Sequence, residues 1–142
     1  IYSTWTDDFL IRVYGPEGHY KHAIYYAMPR KPIRRDEILS RVSQDDYDRE
    51  LIEHAELPPK WPVIRSMVVD DQQRPWISTI IEADGIRQWW VLKNTGQLVA
   101  KFRWPTNRTI KAVKDGYAYA LETNQETGQQ KVVKYEVEMD KQ

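Results

Sequence analysis

The stretch RQWWVLKNTGQLVAKFRW, residues 87–104, decides the fold because it has the form of a β-hairpin. Two largely apolar runs flank the turn sequence NTG, and a glycine turn between such runs is typical of a hairpin. Trp89 and Trp90 are adjacent, so they point to opposite faces of one strand, because side chains alternate along a strand. These two rings therefore cannot form one flat platform for a ligand.

The composition indicates one domain or a few repeats, rich in β-structure. The chain has 142 residues, 41% hydrophobic and 12% aromatic, and nearly all its rings are Tyr and Trp, which favour strands. Because cysteine is absent, we expect no disulfide and no cysteine-ligated metal. Basic and acidic residues number 21 each, so a nucleic-acid partner is not expected. No apolar run is long enough to span a bilayer.

Alternating apolar and polar residues predict about ten strands in three blocks. The turn sequences TDD, GPEG, DQQR, EADG and NTG separate them. The expected strands lie near residues 1–5, 9–14, 19–27, 63–70, 75–81, 87–93, 98–104, 110–115, 117–123 and 131–139.

Residues 29–62 interrupt this pattern and predict a helical insertion. Ser43 and Asp46 resemble a capping box, in which a hydroxyl and an acid three residues apart cap a helix start. Apolar residues at helical spacing, Leu51 among them, then predict an amphipathic helix with one apolar face over about residues 44–56. A shorter helical turn is expected near residues 36–42.

The three strand blocks align with one another. IYST at 1–4 matches WIST at 76–79, and DGYAYALE at 115–122 matches QRPWISTI at 73–80. The second spacing is about 42 residues, the length of a four-stranded propeller blade. We therefore predict an all-β partial β-propeller of about two and a half blades. Its parts are an incomplete blade, the helical insertion, a complete blade and an incomplete final blade, at residues 1–28, 29–62, 63–105 and 106–142.

The motif VVDDQQRPWIST … WWVLKNTGQLVAKFRWP resembles the bacterial six-bladed β-propeller proteins of the NHL-repeat and TolB-like kind. The resemblance covers nearly the whole chain and implies an exported, periplasmic or extracellular protein. It says much about the fold and little about function, because propellers carry many unrelated activities.

Such a ring needs about six blades, so the resemblance implies that something completes it. The chain begins at Ile1 with a strand already under way, and we expect an upstream half of the gene or a second copy of the chain to close the ring. The segment from Lys131 to Met139 should be a free sheet edge unless a partner covers it.

Arg65, Lys111 and Asp70 are the candidate ligand-binding residues. Arg65 lies within a strand that should line the central channel, and Lys111 is its approximate counterpart in the next blade. Together they could attract an anion, although solvation by channel water is the commoner explanation for such residues. Asp70 and Asp71 could bind Ca²⁺, whereas a turn cap is the commoner role of such aspartates.

The four tryptophans with a predicted role are Trp76, Trp89, Trp90 and Trp104. They are expected to pack between blades, and the alternative is that they stack a sugar. Among the histidines, His54 with Glu50 could hold a metal weakly, but a solvated helical face explains this pair better. No catalytic motif is present, so no catalytic residue, metal or cofactor is assigned.

Three functions follow from these patterns. The first is a non-catalytic binding or interaction module from a bacterial propeller protein. The second is part of a propeller enzyme of the hydrolase or lyase type, with its site at the central channel. The third is a carbohydrate-binding module that uses tryptophans.

Overall fold

The computed structural model describes residues 1–40, 47–83 and 85–139, and this part of the chain is an all-β structure with two short helices. The predicted strands are confirmed to within a few residues at their ends. The ten strands are β1 Tyr2–Trp5, β2 Phe9–Tyr14, β3 Tyr20–Tyr26, β4 Ile64–Val69, β5 Pro75–Ala83, β6 Ile86–Leu92, β7 Leu98–Pro105, β8 Arg108–Lys114, β9 Tyr117–Thr123 and β10 Gln130–Glu136.

The strands form three antiparallel meanders, in which each strand pairs with its neighbours in sequence. The first sheet is β1-β2-β3, the second is β4-β5-β6-β7, and the third is β8-β9-β10 with β10 at its edge. The opening hairpin is β6 and β7, where Trp89 pairs with Phe102 and Trp90 with Lys101. No closed ring forms within the described residues, so the propeller remains a prediction.

The second sheet lies between the other two, and its two faces belong to two separate hydrophobic clusters. Trp90 joins the cluster shared with the first sheet, whereas Trp89 joins the one shared with the third sheet. Neighbouring residues of one strand thus serve opposite interfaces, as strand alternation requires. At one edge of this stack, β4 lies against β8, the first strand of the third sheet.

Gly96 shows why the β6–β7 turn needs its glycine. The backbone φ of Gly96 is 98°, a value that residues with a Cβ rarely adopt. A Cβ at this position would also lie 3.1 Å from the side chain of Ile24 in the first sheet. The turn therefore packs tightly against the first sheet while it connects two strands of the second.

The insertion contains α1, Arg35–Ser40, and α2, Tyr47–His54. Arg49 Nη1 donates to the carbonyl of Leu39 at 2.9 Å and so joins the two helices. The predicted capping box at Ser43 and Asp46 lies outside the described residues. Leu51, expected on an apolar face, is 53% exposed, because the short helices do not cover it. Neither described helix is long and apolar enough to cross a membrane.

Candidate functional site

Asp70 organises the turn between β4 and β5. Its Oδ1 accepts hydrogen bonds from the backbone amides of Gln72 and Arg74, both at 2.9 Å. Its Oδ2 accepts from Arg74 Nε at 2.7 Å and from Trp76 Nε1 at 2.9 Å. Burial alone would raise the pKa of Asp70, but the hydrogen bonds from Trp76 and Arg74 and the charge of Arg74 hold it below its usual value.

These contacts are those of a turn cap, the commoner role of an aspartate in this position. Asp70 is 3% exposed, and the two oxygens of its carboxylate accept from four donors. A ligand would have to displace them, and ligand binding at Asp70 itself stays an untested prediction.

A cleft of about 560 Å³ opens beside this turn, between the second and third sheets. This volume falls in the range of small-molecule sites. Its rim is polar and is formed by Asp71, Gln72, Arg74, Lys93, Asn94 and Gln97. Its floor is apolar and includes Leu98, Val99, Val113, Val137 and Met139.

The meander explains why these residues meet. In an antiparallel meander, alternate turns lie at the same end of the sheet, so the β4–β5 and β6–β7 turns are neighbours. The third sheet brings its own β8–β9 turn to the same end, where Asp71 Oδ2 accepts from the backbone amide of Asp115 at 2.8 Å. The cleft is therefore built from three turns that are far apart in sequence.

The rim is held in place from within its own sheet and across the cleft. Arg74 is fixed by Asp70 on one side, and its Nη1 contacts the sulfur of Met139 at 3.3 Å on the other. In the β6–β7 turn, the amide of Lys93 donates to Gln97 O at 2.8 Å. Few rotamers are left open to Arg74, which reduces the entropy lost when a ligand binds.

The first sheet supports both rim turns from behind. Tyr2 Oη donates to the carbonyl of Gln73, and Tyr26 Oη donates to the carbonyl of Gly96, each at 2.5 Å. His22 Nε2 lies 2.7 Å from Asn94 O, and because a carbonyl only accepts, this nitrogen carries the proton. Burial is the main cause that raises the pKa of Tyr2, and the nearby charge of Asp70 adds to it. The hydroxyl of Tyr2 therefore remains a donor.

Arg65 and Lys111 lie apart from this cleft lining. Both are exposed, on β4 and β8, the two strands that lie against each other at one edge of the stack. Neither side chain forms a hydrogen bond or ion pair with another described residue, so the structure does not bring acids to them. The anion-binding channel remains a prediction.

The tryptophans fill the interfaces between sheets. Trp76 and Trp89 are each 2% exposed, Trp90 is 7% exposed, and Trp104 is half-buried. The ring of Phe102 contacts three of them, with centroids 5.9 Å from Trp76, 6.5 Å from Trp89 and 6.1 Å from Trp104. This arrangement leaves no flat row of exposed rings for a sugar at these four positions. Packing between propeller blades remains a prediction.

A second polar cluster was not anticipated from the sequence. Glu122 accepts from Tyr135 Oη and pairs with Arg108 at 3.1 Å and with Lys131 at 3.8 Å, beside a depression of about 340 Å³. The hydrogen bond to Glu122 and burial raise the pKa of Tyr135. Since Glu122 is satisfied by these neighbours, the cluster joins the strands of the third sheet.

The histidines stay separate from one another. His22 serves the β6–β7 turn, and His19 lies 3.8 Å from Glu17 at an exposed turn. Glu50 and His54 are exposed on α2. Within the described ranges, no three histidine or acidic side chains come together as a metal site.

Comparison with known proteins gives no further assignment: no protein-family model matches the chain, and neither does any curated protein or solved structure. Sequence reasoning missed Arg74, Lys93 and Gln97, although the shared end of the two meander turns was a signal that could have grouped them.

Proposed function

We propose that the three sheets are consecutive blades of a propeller-type protein. Support comes from the repeated antiparallel meander of three or four strands, from the stacking of the second sheet between the other two, and from the contact of β4 with β8. In a propeller, the first strands of neighbouring blades lie side by side around the axis, and a contact between β4 and β8 is what this arrangement would produce.

We infer that the chain is a non-catalytic binding module, and that its ligand lies in the cleft between the second and third sheets. The observation that carries this inference is the combination of a polar rim and an apolar floor in one cleft of small-molecule size. The rim directs ligand orientation through hydrogen bonds, while the floor supplies most of the binding energy through burial.

The test is a screen of chemically diverse small molecules against the isotope-labelled chain by amide NMR. Binders should shift the amides of residues 71–74 and 93–97 and of Gly116 together. Leu98→Trp, which fills the cleft floor, should abolish these shifts. Leu51→Trp is the matched control, because Leu51 is also exposed but lies on α2. Shifts centred on Arg65 and Lys111 would favour the channel site instead, and the absence of any binder would refute the proposal.

We further propose that a second copy of the chain covers the outer faces of the first and third sheets. These faces expose large apolar side chains, with Tyr20 and Tyr25 at 60% and 62% exposure and Val132 at 70%. The second sheet is covered on both sides by meanders of this same chain, so another copy offers a surface of the required kind. Such an arrangement would complete the stack from identical parts.

A further inference from the structure

We propose that the cleft binds an aliphatic carboxylate, with the carboxylate at Arg74 and Lys93 and the alkyl chain on the apolar floor. This inference rests on the proposed binding function and names the ligand class. It follows from the unused donors on the rim, the position of Asp71 on that rim, and the kind of side chains in the floor.

The first argument concerns donors. The Nε of Arg74 is used by Asp70, but its Nη1 faces only the sulfur of Met139 at 3.3 Å. A thioether is a weak acceptor, so a ligand oxygen would be a better partner for this N–H. Lys93 is exposed, and its ammonium group has no acceptor among the described residues. The second-sheet side of the rim therefore offers charged donors in excess.

The division of roles between the two cations follows from Asp70. Because Asp70 lies against Arg74 and is buried, it offsets much of the charge of the guanidinium. Arg74 then contributes mainly directed hydrogen bonds, while Lys93 is the main ionic partner of the ligand. Removing the charge of Lys93 should therefore lower the affinity for an anion more than the affinity for a neutral ligand of the same shape.

The acid on the rim sets the orientation. Asp71 holds the amide of Asp115 with its Oδ2, so it is drawn toward the third sheet. A ligand carboxylate is repelled from that wall and attracted to the opposite one, where Lys93 lies. Three side-chain amides on the rim can rotate so that their NH₂ groups donate to an anion, and this needs no change in the backbone. They belong to Gln72, Asn94 and Gln97.

The floor selects the body of the ligand. Its described side chains are branched aliphatic groups and the thioether of Met139, and none of them is aromatic. Such a surface adapts to a flexible or branched alkyl chain better than it stacks a flat ring. Each methylene that it buries should tighten binding by about fourfold.

The experiment uses three probes with one alkyl chain: octanoate, octan-1-ol and octylammonium, each titrated into the whole chain at neutral pH by amide NMR. We expect octanoate to bind most tightly, with shifts at residues 71–74 and 93–97, and hexanoate to bind more weakly. Lys93→Gln should lower the affinity for octanoate about fivefold, which is the effect of losing an exposed charged contact. The affinity for octan-1-ol should stay unchanged. The matched control Lys60→Gln, at an exposed lysine of the insertion outside the cleft, should change neither affinity.

The outcomes separate this inference from the binding function on which it rests. Equal affinity for octanoate and octan-1-ol, or an unchanged octanoate affinity in Lys93→Gln, would overturn the carboxylate assignment and leave the cleft as a binding site. The same holds if no alkyl probe binds although molecules from the diverse screen do. If neither the probes nor the screen gives a binder in the cleft, both proposals fail.

Discussion

Replacing Asp70 by Asn tests whether the β4–β5 turn is held by its buried carboxylate. In the native turn, Oδ1 accepts two backbone amides and Oδ2 accepts two side-chain donors. Asparagine has nearly the same shape, and its oxygen can still accept the hydrogen bonds from the backbone amides of Gln72 and Arg74. Its NH₂ group then faces the N–H groups of Arg74 and Trp76, so two donors lose their acceptor.

The size of the effect follows from the burial of those two donors. Trp76 is 2% exposed, so its indole N–H cannot reach water, and leaving it unpaired costs about 2 kcal/mol. The side chain of Arg74 is 22% exposed, so water compensates in part and the loss there is about 1 kcal/mol. We therefore expect Asp70→Asn to lower the free energy of unfolding by about 3 kcal/mol.

The measurement is urea unfolding of both proteins between pH 7 and pH 3, followed by tryptophan fluorescence. The pKa of Asp70 is lower in the folded state, so the unfolded state binds more protons as the pH falls below the ordinary value of 3.8. The stability due to Asp70 is thus present above that pH and is lost as the pH falls through the folded-state pKa. The difference in the free energy of unfolding between wild type and Asp70→Asn should therefore become smaller over this acidic range.

Asp71→Asn is the matched control, because it makes the same change at the next residue, where the carboxylate is exposed and accepts one amide. It should cost less than about 1 kcal/mol. If Asp70→Asn is no more destabilising than this control, or if its effect is the same at pH 7 and pH 3, the assigned role of Asp70 is wrong.

Two further predictions concern the β6–β7 turn and assembly. Gly96→Ala should lower the unfolding midpoint in urea by more than Gly18→Ala, because both have positive φ but only the Cβ at Gly96 meets Ile24, at 3.1 Å; equal losses would show that packing on the first sheet is unimportant. Light scattering should give about twice the 16.9 kDa of one chain if a second copy covers the outer faces, and Tyr25→Lys should return the mass to one chain. A monomer at all concentrations would rule out the second-copy proposal.

The fold was largely predictable because its signals are local. Alternation and turn residues placed each strand, and the pairing within each meander follows because short turns join neighbours. The helical insertion was located correctly, but the exposure of Leu51 was not predicted, because an apolar residue at helical spacing says nothing about whether another element covers it. The opposite faces of Trp89 and Trp90 followed from strand geometry alone.

The candidate site was predicted less well. Asp70 was singled out from its place after a strand, and the structure gives it the contacts of a turn-fixing residue. Arg65 and Lys111 were chosen for their charge within strands, yet the structure brings no described acid to them. Arg74 and Lys93 were overlooked because, in sequence, they look like ordinary solvated turn residues.

The sequence by itself determined the ten strands, their division into three meanders and the positions of the turns, since each depends on residues that are close together in the chain. The tertiary structure alone decided which sheet faces stack and that three distant turns enclose one cleft. The physical reason is that the hydrophobic effect is non-directional. An apolar face in the sequence predicts burial of that face, but only the packed chain determines which surface covers it.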